Sequence, residues 1–406
     1  MHVDLFGGGR PHFRCAEGAA CCEVLTFFAD WNLIFGPCVV QGTSCSRMWR
    51  GDGAGADGWD VGEQADSRVV PGEKAVAVRR WLRTVEWRRW GKGTGSPSAW
   101  ARGRVLASLA VLTAGLMAFH SVVPNAVGRL GSLLETFLPW LGLAVPLLLV
   151  LALLRRSALT LVALLLPVAV WANLFGGLVL ADEDSGAHDI VAVQHNVSDE
   201  NSDPEGTAST LIEAAPDVIA LEELTPSALS AYESALAADY PHHAVEGTVG
   251  LWSKYPLSDV RPVDIKPSGI PEGWNRGLRT TARTPQGDIA VYVAHLPSVR
   301  IRWNGLSSGW RDESAGLLGE AIAAEKLAKV ILLGDLNSTV DDRGLDPVTE
   351  RMDSTGRNFA FSWPAAIPVS RIDHVMTRSM VVTGIRTLPA TGSDHLPVAA
   401  GIRFEP

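Results

Sequence analysis

Three consecutive apolar stretches, about Val105 to Val123, Leu133 to Leu154 and Ala158 to Leu180, divide a chain whose two flanks are patterned differently. Each is near the roughly 20 residues that cross a bilayer core, so three transmembrane helices are expected. A buried helical core is the competing explanation, and three such runs with short connectors argue against it. Beyond Leu180 the apolar runs shorten and alternate with helix-like segments. Strands are predicted at Ile190–His195, Val218–Leu221, Gly250–Ser253, Leu278–Arg283, Ile289–Ala294, Val330–Leu333, Ile372–Thr377 and Val398–Phe404. Helices are predicted at Thr207–Ala215, Pro226–Ala238 and Asp312–Ala328, which makes this part a mixed α/β domain. Before the first span no period is visible, and Gly-rich runs such as Gly51 to Gly58 read as flexible chain or as sequence upstream of a misassigned start. The expected divisions are therefore 1–100, 101–181 and 187–406.

Charge adds a direction to this layout. Arg79, Arg80, Arg83, Arg88, Arg89, Lys92, Arg102 and Arg104 precede the first span, and Arg155 and Arg156 separate the second from the third. The loop between the first two carries only Arg129. Positive residues stay cytoplasmic, which places the chain after Leu180 outside the membrane. Trp140 and Trp171 suit either the membrane interface or packing within the helix bundle. From Ala181 to His188 the tether is eight residues, at most roughly 26 Å extended, so the domain is expected near the lipid surface. From Ala181 onward there are 32 Asp and Glu against 18 Lys and Arg, a net charge of −14. That acidity argues against extended nucleic acid as a partner. All five cysteines lie before the spans, where His12, Cys15, Cys21 and Cys22 lack the usual paired zinc spacing.

The chemistry sits at strand ends. His195-Asn196, Glu222-Glu223, Gly334-Asp335-Leu336-Asn337 and Ser393-Asp394-His395 each follow a predicted strand or lead into one. Taken singly they read as turns or solvated acids. Taken in order, at one edge of a sheet, they read as a site.

These marks resemble the endonuclease/exonuclease/phosphatase superfamily: VAVQHN, DVIALEE, VAHLPS, GDLN, IDH and a closing SDHLPV, spread over about 215 residues. The resemblance implies a four-layer α/β/β/α sandwich with a metal-dependent phosphoesterase site at one end of the packed sheets. It implies Glu223, Asn196 and Asp394 on the metal side, with Mg²⁺ as the ion and Mn²⁺ as an alternative. Asp335 and Asn337 would orient the attacking water and the phosphate. His395 would act as general base with Asp373 fixing its tautomer, Asp335 being the alternative base, and His295 would donate to a phosphate oxygen. Glu222 falls where many relatives have Gln. His195 and His374 point to the opposite faces of their strands, and His242 and His243 read as surface loop. Arg276 and Arg279 are possible phosphate contacts. The spans followed by this domain also resemble a membrane-anchored bacterial branch that includes the VanJ-type teicoplanin-resistance proteins. That branch implies a lipid-linked phosphate of the cell envelope as substrate; the spans make the bilayer a partner, and no feature of the sequence points to a protein partner. The readings set beside it are an extracellular nuclease and a non-catalytic protein that binds envelope lipid or glycopeptide.

Overall fold

The computed structural model describes residues 100–179, 187–303, 305–353 and 358–404. The expectations for residues 1–99, including the cysteines, lie outside the described residues.

The apolar region folds as helices of unequal length. The first stretch forms α1 (Arg104–Ala118), only 15 residues, ending in a short 3₁₀ turn at His120–Val122. The second is broken into α2 (Leu130–Thr136), a 3₁₀ segment with Pro139 at Leu138–Leu143, and α3 (Ala144–Arg155). The third comprises α4 (Ala158–Ala163) and α5 (Leu165–Val179). Two stretches, Leu138–Arg155 and Ala158–Val179, are long and apolar enough to cross a membrane; α1 is shorter than that length. Ser157 caps α4 by accepting from the Thr160 N–H, and its hydroxyl donates to the Arg102 carbonyl, tying the start of α1 to this turn.

The α/β domain is two facing sheets. One has six strands in the order β12-β13-β1-β2-β4-β3: Met380–Thr387, Val398–Phe404, Ile190–Asn196, Val218–Glu222, Val249–Ser253 and His242–Glu246. The other has five in the order β11-β10-β7-β6-β5: Asp373–Arg378, Val330–Asp335, Gly287–Ala294, Gly277–Thr284 and Leu257–Pro262. A small hairpin, β8 (Arg300–Arg302) with β9 (Gly305–Ser307), stands apart from both. Alternation along each strand sorts the side chains into layers. Ile190, Ala192, Val218 and Ala220 meet Ile289, Val291, Ile331 and Leu333 between the sheets. Val193, Ile219 and Leu221 face α6 (Pro204–Glu213) and α7 (Pro226–Leu236) on one outer side. Ala290, Tyr292 and Leu332 face α8 (Gly309–Ala323) on the other. The result is helix, sheet, sheet, helix.

The helices start where their caps are. Asp203 accepts from the Gly206 N–H and Thr225 from the Ala228 N–H, each followed by Pro at the first helical position. The third helix runs Gly309–Ala323, not Asp312–Ala328. Its end is set by Glu325, whose side chain accepts from the Leu327 N–H and turns the chain away. His242 and His243 belong to an edge strand, not a loop; pairing with β4 makes it, and His243 stacks on Trp252 at 5.9 Å. Strands β5 and β12 are not among the predicted strands; β6 and β13 pair with them.

The domain rests directly on the apolar helices. Glu135, the lone acid of the second stretch, is buried and takes Arg343 Nη2 at 2.6 Å and Nε at 2.9 Å. Arg343 also donates to the carbonyls of His120 and Val123. Arg129 pairs with Asp312 at the start of α8. Trp140 donates through Nε1 to the Val369 carbonyl at 2.7 Å. The short tether predicted proximity; these contacts make it docking.

Candidate active site

The strand alternation that fills the core also builds the site. Past the last apolar residue facing the opposite sheet, the same parity presents Gln194 and Asn196 on β1, Glu222 on β2, Asp335 on β10, His295 after β7 and Asp373 on β11. All six are buried. Polar groups thus replace aliphatic ones where the two sheets end.

Two local conformations complete it. Gly334 lies at φ +155°, and a Cβ there would run into the Ala294 carbonyl oxygen, so only glycine lets β10 end against β7. Asp335 then accepts from the Asn337 N–H at 2.9 Å, an Asx turn with Asn337 left-handed at φ 47°. The GDLN run is therefore both turn and site. Glu223 has the wrong parity for the sheet interior, and its φ of 61° turns it back toward the cleft. Its Oε1 comes within 3.7 Å of His295 Nε2, the same distance as Asp335 Oδ2. A non-glycine residue held left-handed at the end of a strand is strain of the kind that gathers at functional sites.

The groups form a continuous chain. Ser362 donates to Asp373 Oδ2 at 2.6 Å, Asp373 faces His395 Nδ1 at 2.8 Å, and His395 Nε2 lies 3.8 Å from Asp335. Asn196 Nδ2 donates to Asp335 Oδ2 at 3.0 Å, and Asn337 Nδ2 to Asp335 Oδ2 at 3.2 Å. On the far side Arg276 Nη1 lies 3.2 Å from His295 Nδ1. The same Nη1 lies 3.4 Å from Nε2, so the guanidinium sits against both ring nitrogens, while Nε2 faces Glu223 and Asp335. Burial, with Arg276 beside it, pushes His295 well below its ordinary value and keeps it neutral. Burial acts to lower His395 as well, but Asp373 and Asp335 outweigh it and hold the imidazole up at about 10. Asp335 is raised to about 7 by burial, against the pull of His395.

Of the expected residues, Asn196, His295, Asp335, Asn337, Asp373 and His395 come together in this chain, with Glu223 beside them. Asp394 lies at the exposed rim, its Oδ2 3.4 Å from Trp363 Nε1. His195 faces the outer side against Thr391, and His374 donates through Nε2 to the Ser338 carbonyl, so neither enters the site. Arg279 is buried in ion pairs with Glu325 and Asp259 and is structural.

Four residues without an expected role belong here. Gln194 donates to both Glu222 and Asp373, at 2.7 and 3.0 Å, and its place was readable from the alternation of β1. Glu222 carries a carboxyl raised well above its ordinary value by burial and by Asp373. Ser362, which no motif marks, arrives from a loop, as does Ser393, whose hydroxyl donates to the Asn196 carbonyl at 2.7 Å. Ser362→Ala removes a hydrogen bond to a buried carboxylate, so kcat should fall about tenfold with KM unmoved. Steady-state kinetics on a soluble phosphodiester checks this, and a change confined to KM would contradict it.

The donor set suits a divalent cation. Glu222, Asp335 and Asp373 put three carboxyls in one buried space, and Glu222 Oε1 and Gln194 Oε1 have no partner there. Asp335, Asp373 and His395 bring ligand atoms within 4.8 Å of one another and could hold an ion. The other candidate set, Glu223 with the Asn196 amide and Asp394, offers only hard oxygen donors, which suits Mg²⁺ or Mn²⁺ better. In the first set His395 Nδ1 is engaged by Asp373; in the second Asn196 Oδ1 accepts from the Ser198 N–H and Glu223 Oε2 from the Asp199 N–H, with Asp394 at the rim.

The model of the Endonuclease/Exonuclease/phosphatase family matches residues 171–395, more than half of the chain. The chain belongs to this family. Members of the endonuclease/exonuclease/phosphatase family hydrolyse phosphoesters with divalent metal ions, and the chain is an enzyme of that class. None of the curated proteins compared matches it. Similar solved structures include beta toxin from Staphylococcus aureus, 16% identical over 52% of this chain and 99% of the toxin, with a TM-score of 0.44. An endonuclease/exonuclease/phosphatase from Beutenbergia cavernae is 19% identical over 54% of this chain and 72% of its own, with a TM-score of 0.43. The human Nocturnin catalytic domain is 13% identical over 53% and 94%, with a TM-score of 0.44.

Proposed function

We propose that this protein hydrolyses a phosphoester or pyrophosphate bond of a lipid-linked cell-envelope intermediate at the extracytoplasmic membrane face. The observation that carries the reading is the docking of the catalytic domain on the apolar helices through Glu135–Arg343, Arg129–Asp312 and Trp140–Val369. A phosphate held at the bilayer surface reaches a site fixed in that position without leaving the lipid. All three apolar stretches are taken as membrane-embedded, with the catalytic domain outside by the charge asymmetry. The arrangement fits the VanJ-type branch and a role in teicoplanin resistance.

In this proposal Glu223, Asn196 and Asp394 hold the cation. A bound cation would neutralise phosphate oxygens and would offset the negative charge of Asp373 and Asp335 beside His395. Asn337 and Asp335 orient water and phosphate. His395 takes the water's proton while Asp373, fixed by Ser362 and Gln194, keeps its Nδ1 side protonated. Neutral His295, held between Arg276 and the two carboxylates, donates from Nε2 as charge builds on the phosphate. Beside Arg276 a cavity of about 520 Å³ is lined by Arg300, Arg302, Trp274 and Trp310, which suits a second anionic group on the substrate.

The full chain in detergent, with Mg²⁺ or Mn²⁺, should release phosphate from polyprenyl phosphates or pyrophosphates more efficiently than it degrades DNA or RNA. Nuclease activity alone would establish the nuclease reading instead, and turnover of nothing would favour lipid binding. A periplasm-dependent phosphatase reporter fused after residue 180 should be active; a silent fusion reverses the topology.

A further inference from the structure

Between the apolar helices and the catalytic domain lies a cavity of about 550 Å³, within the range of small-molecule sites. Its walls include Trp140, Leu143, Val145, Val168, Trp171 and Phe361, with no charged side chain among its lining residues. Both indole N–H groups are already hydrogen-bonded within the protein: Trp140 Nε1 donates to the Val369 carbonyl at 2.7 Å and Trp171 Nε1 to the Pro139 carbonyl at 2.8 Å. What remains to the cavity is carbon, and a cavity lined that way offers water no partners. Leu143 and Val168 are also exposed outward, so the cavity is open on the side of the helices.

The domain wall of the cavity is continuous with the catalytic chain. Phe361 stacks on Trp140 with centroids 5.6 Å apart and packs on Phe359 at 5.1 Å. The next residue, Ser362, donates to Asp373, and the one after it, Trp363, reaches Asp394. Adjacent Cα atoms are 3.8 Å apart, so the apolar wall and the proton-handling groups are neighbours. An occupant that satisfies both ends must be hydrocarbon where it meets Phe361 and anionic where it meets the site.

We propose that this groove is the seat of the substrate's own hydrocarbon chain: the isoprenyl or acyl segment nearest the scissile phosphate lies between α3, α5 and the Phe359–Phe361 strap. The assignment rests on the lipid-linked reading above and names where selectivity for such a lipid resides. It makes the strap a shared element, one face reading hydrocarbon and the other holding Asp373.

The test uses the full chain in nanodiscs with a 15-carbon isoprenyl monophosphate carrying a diazirine in its chain. Photolabel should map to the groove and be displaced by unlabelled isoprenyl phosphate but not by dioleoylphosphatidylcholine. Displacement by both would mean an ordinary bilayer lipid fills the groove, and label elsewhere would mean no site there; either overturns the proposal. In parallel, Val168→Trp and Leu143→Trp should lower the ratio of kcat/KM for isoprenyl phosphate to that for a soluble nitrophenyl phosphodiester at least tenfold. Leu147→Trp, in α3 and not among the residues lining the groove, should leave that ratio within twofold. A ratio unmoved in the groove variants, while lipid is still hydrolysed, sinks the groove and keeps the lipid substrate. Phosphate-selective label in the groove with no lipid hydrolysis sinks the substrate reading and keeps the groove as a lipid site.

Discussion

Alanine at His395 is expected to lower metal-dependent phosphoester hydrolysis by a factor of about 10²–10⁴, the range for loss of a positioned proton-transfer group. The imidazole joins Asp373 at 2.8 Å to Asp335 at 3.8 Å, so its loss severs the chain at the centre. Asp373→Asn should act in the same direction, because an amide no longer fixes the Nδ1 proton. If the two act as one unit, the double variant will be hardly worse than His395→Ala alone, whereas independent roles would multiply the losses. Glu223→Ala should be equally damaging for another reason: it removes a carboxylate from the proposed cation donors. Its activity should recover in part at high Mg²⁺ or Mn²⁺, while that of His395→Ala should not. Recovery in both, or in neither, would show that the roles are wrongly divided.

Arg343→Ala is expected to destabilise the docked state by about 3–5 kcal/mol, the usual result of leaving one partner of a buried ion pair uncompensated. Glu135 is 1% exposed, and without the guanidinium it keeps only the backbone N–H of residue 343 and His120 Nδ1, each at 3.1 Å. The guanidinium also supplies the donors to the His120 and Val123 carbonyls, so Arg343→Lys should restore charge but only part of the stability. Hydrogen exchange across Leu130–Thr136 and the melting temperature of the detergent-solubilised chain give the readout. Unchanged exchange in Arg343→Ala would mean that this clamp does not hold the domain. Soluble-substrate turnover should change far less than stability, since Arg343 lies on the docking face and touches none of the catalytic groups.

How much of this was legible depended on the kind of signal. The apolar runs and the strand periods are local, and in the α/β domain they located eight strands and two helices to within a few residues. Alternation along β1, β2, β10 and β11 also marked which polar residues share a face, because parity carries on unchanged past the last aliphatic residue. Applied strictly, it would have added Gln194 and Glu222 to the site. It could not have placed Glu223, whose left-handed backbone breaks the alternation. Nor could it find Ser362, which reaches Asp373 from an irregular loop, or the edge strands β3, β5 and β12, which exist by pairing with a neighbour.

The sequence by itself determined the family, the mixed α/β order and the identity of most polar groups at the sheet ends, because these follow from residue type and spacing. Only the tertiary structure decided which of those groups touch and that the domain is clamped to the helices by Glu135 and Arg343. It alone disclosed the apolar groove beside the catalytic strap. The clamp joins residues 208 positions apart, and even Asp373 and His395, 22 apart, sit on separate segments; no local period encodes where separate segments will meet.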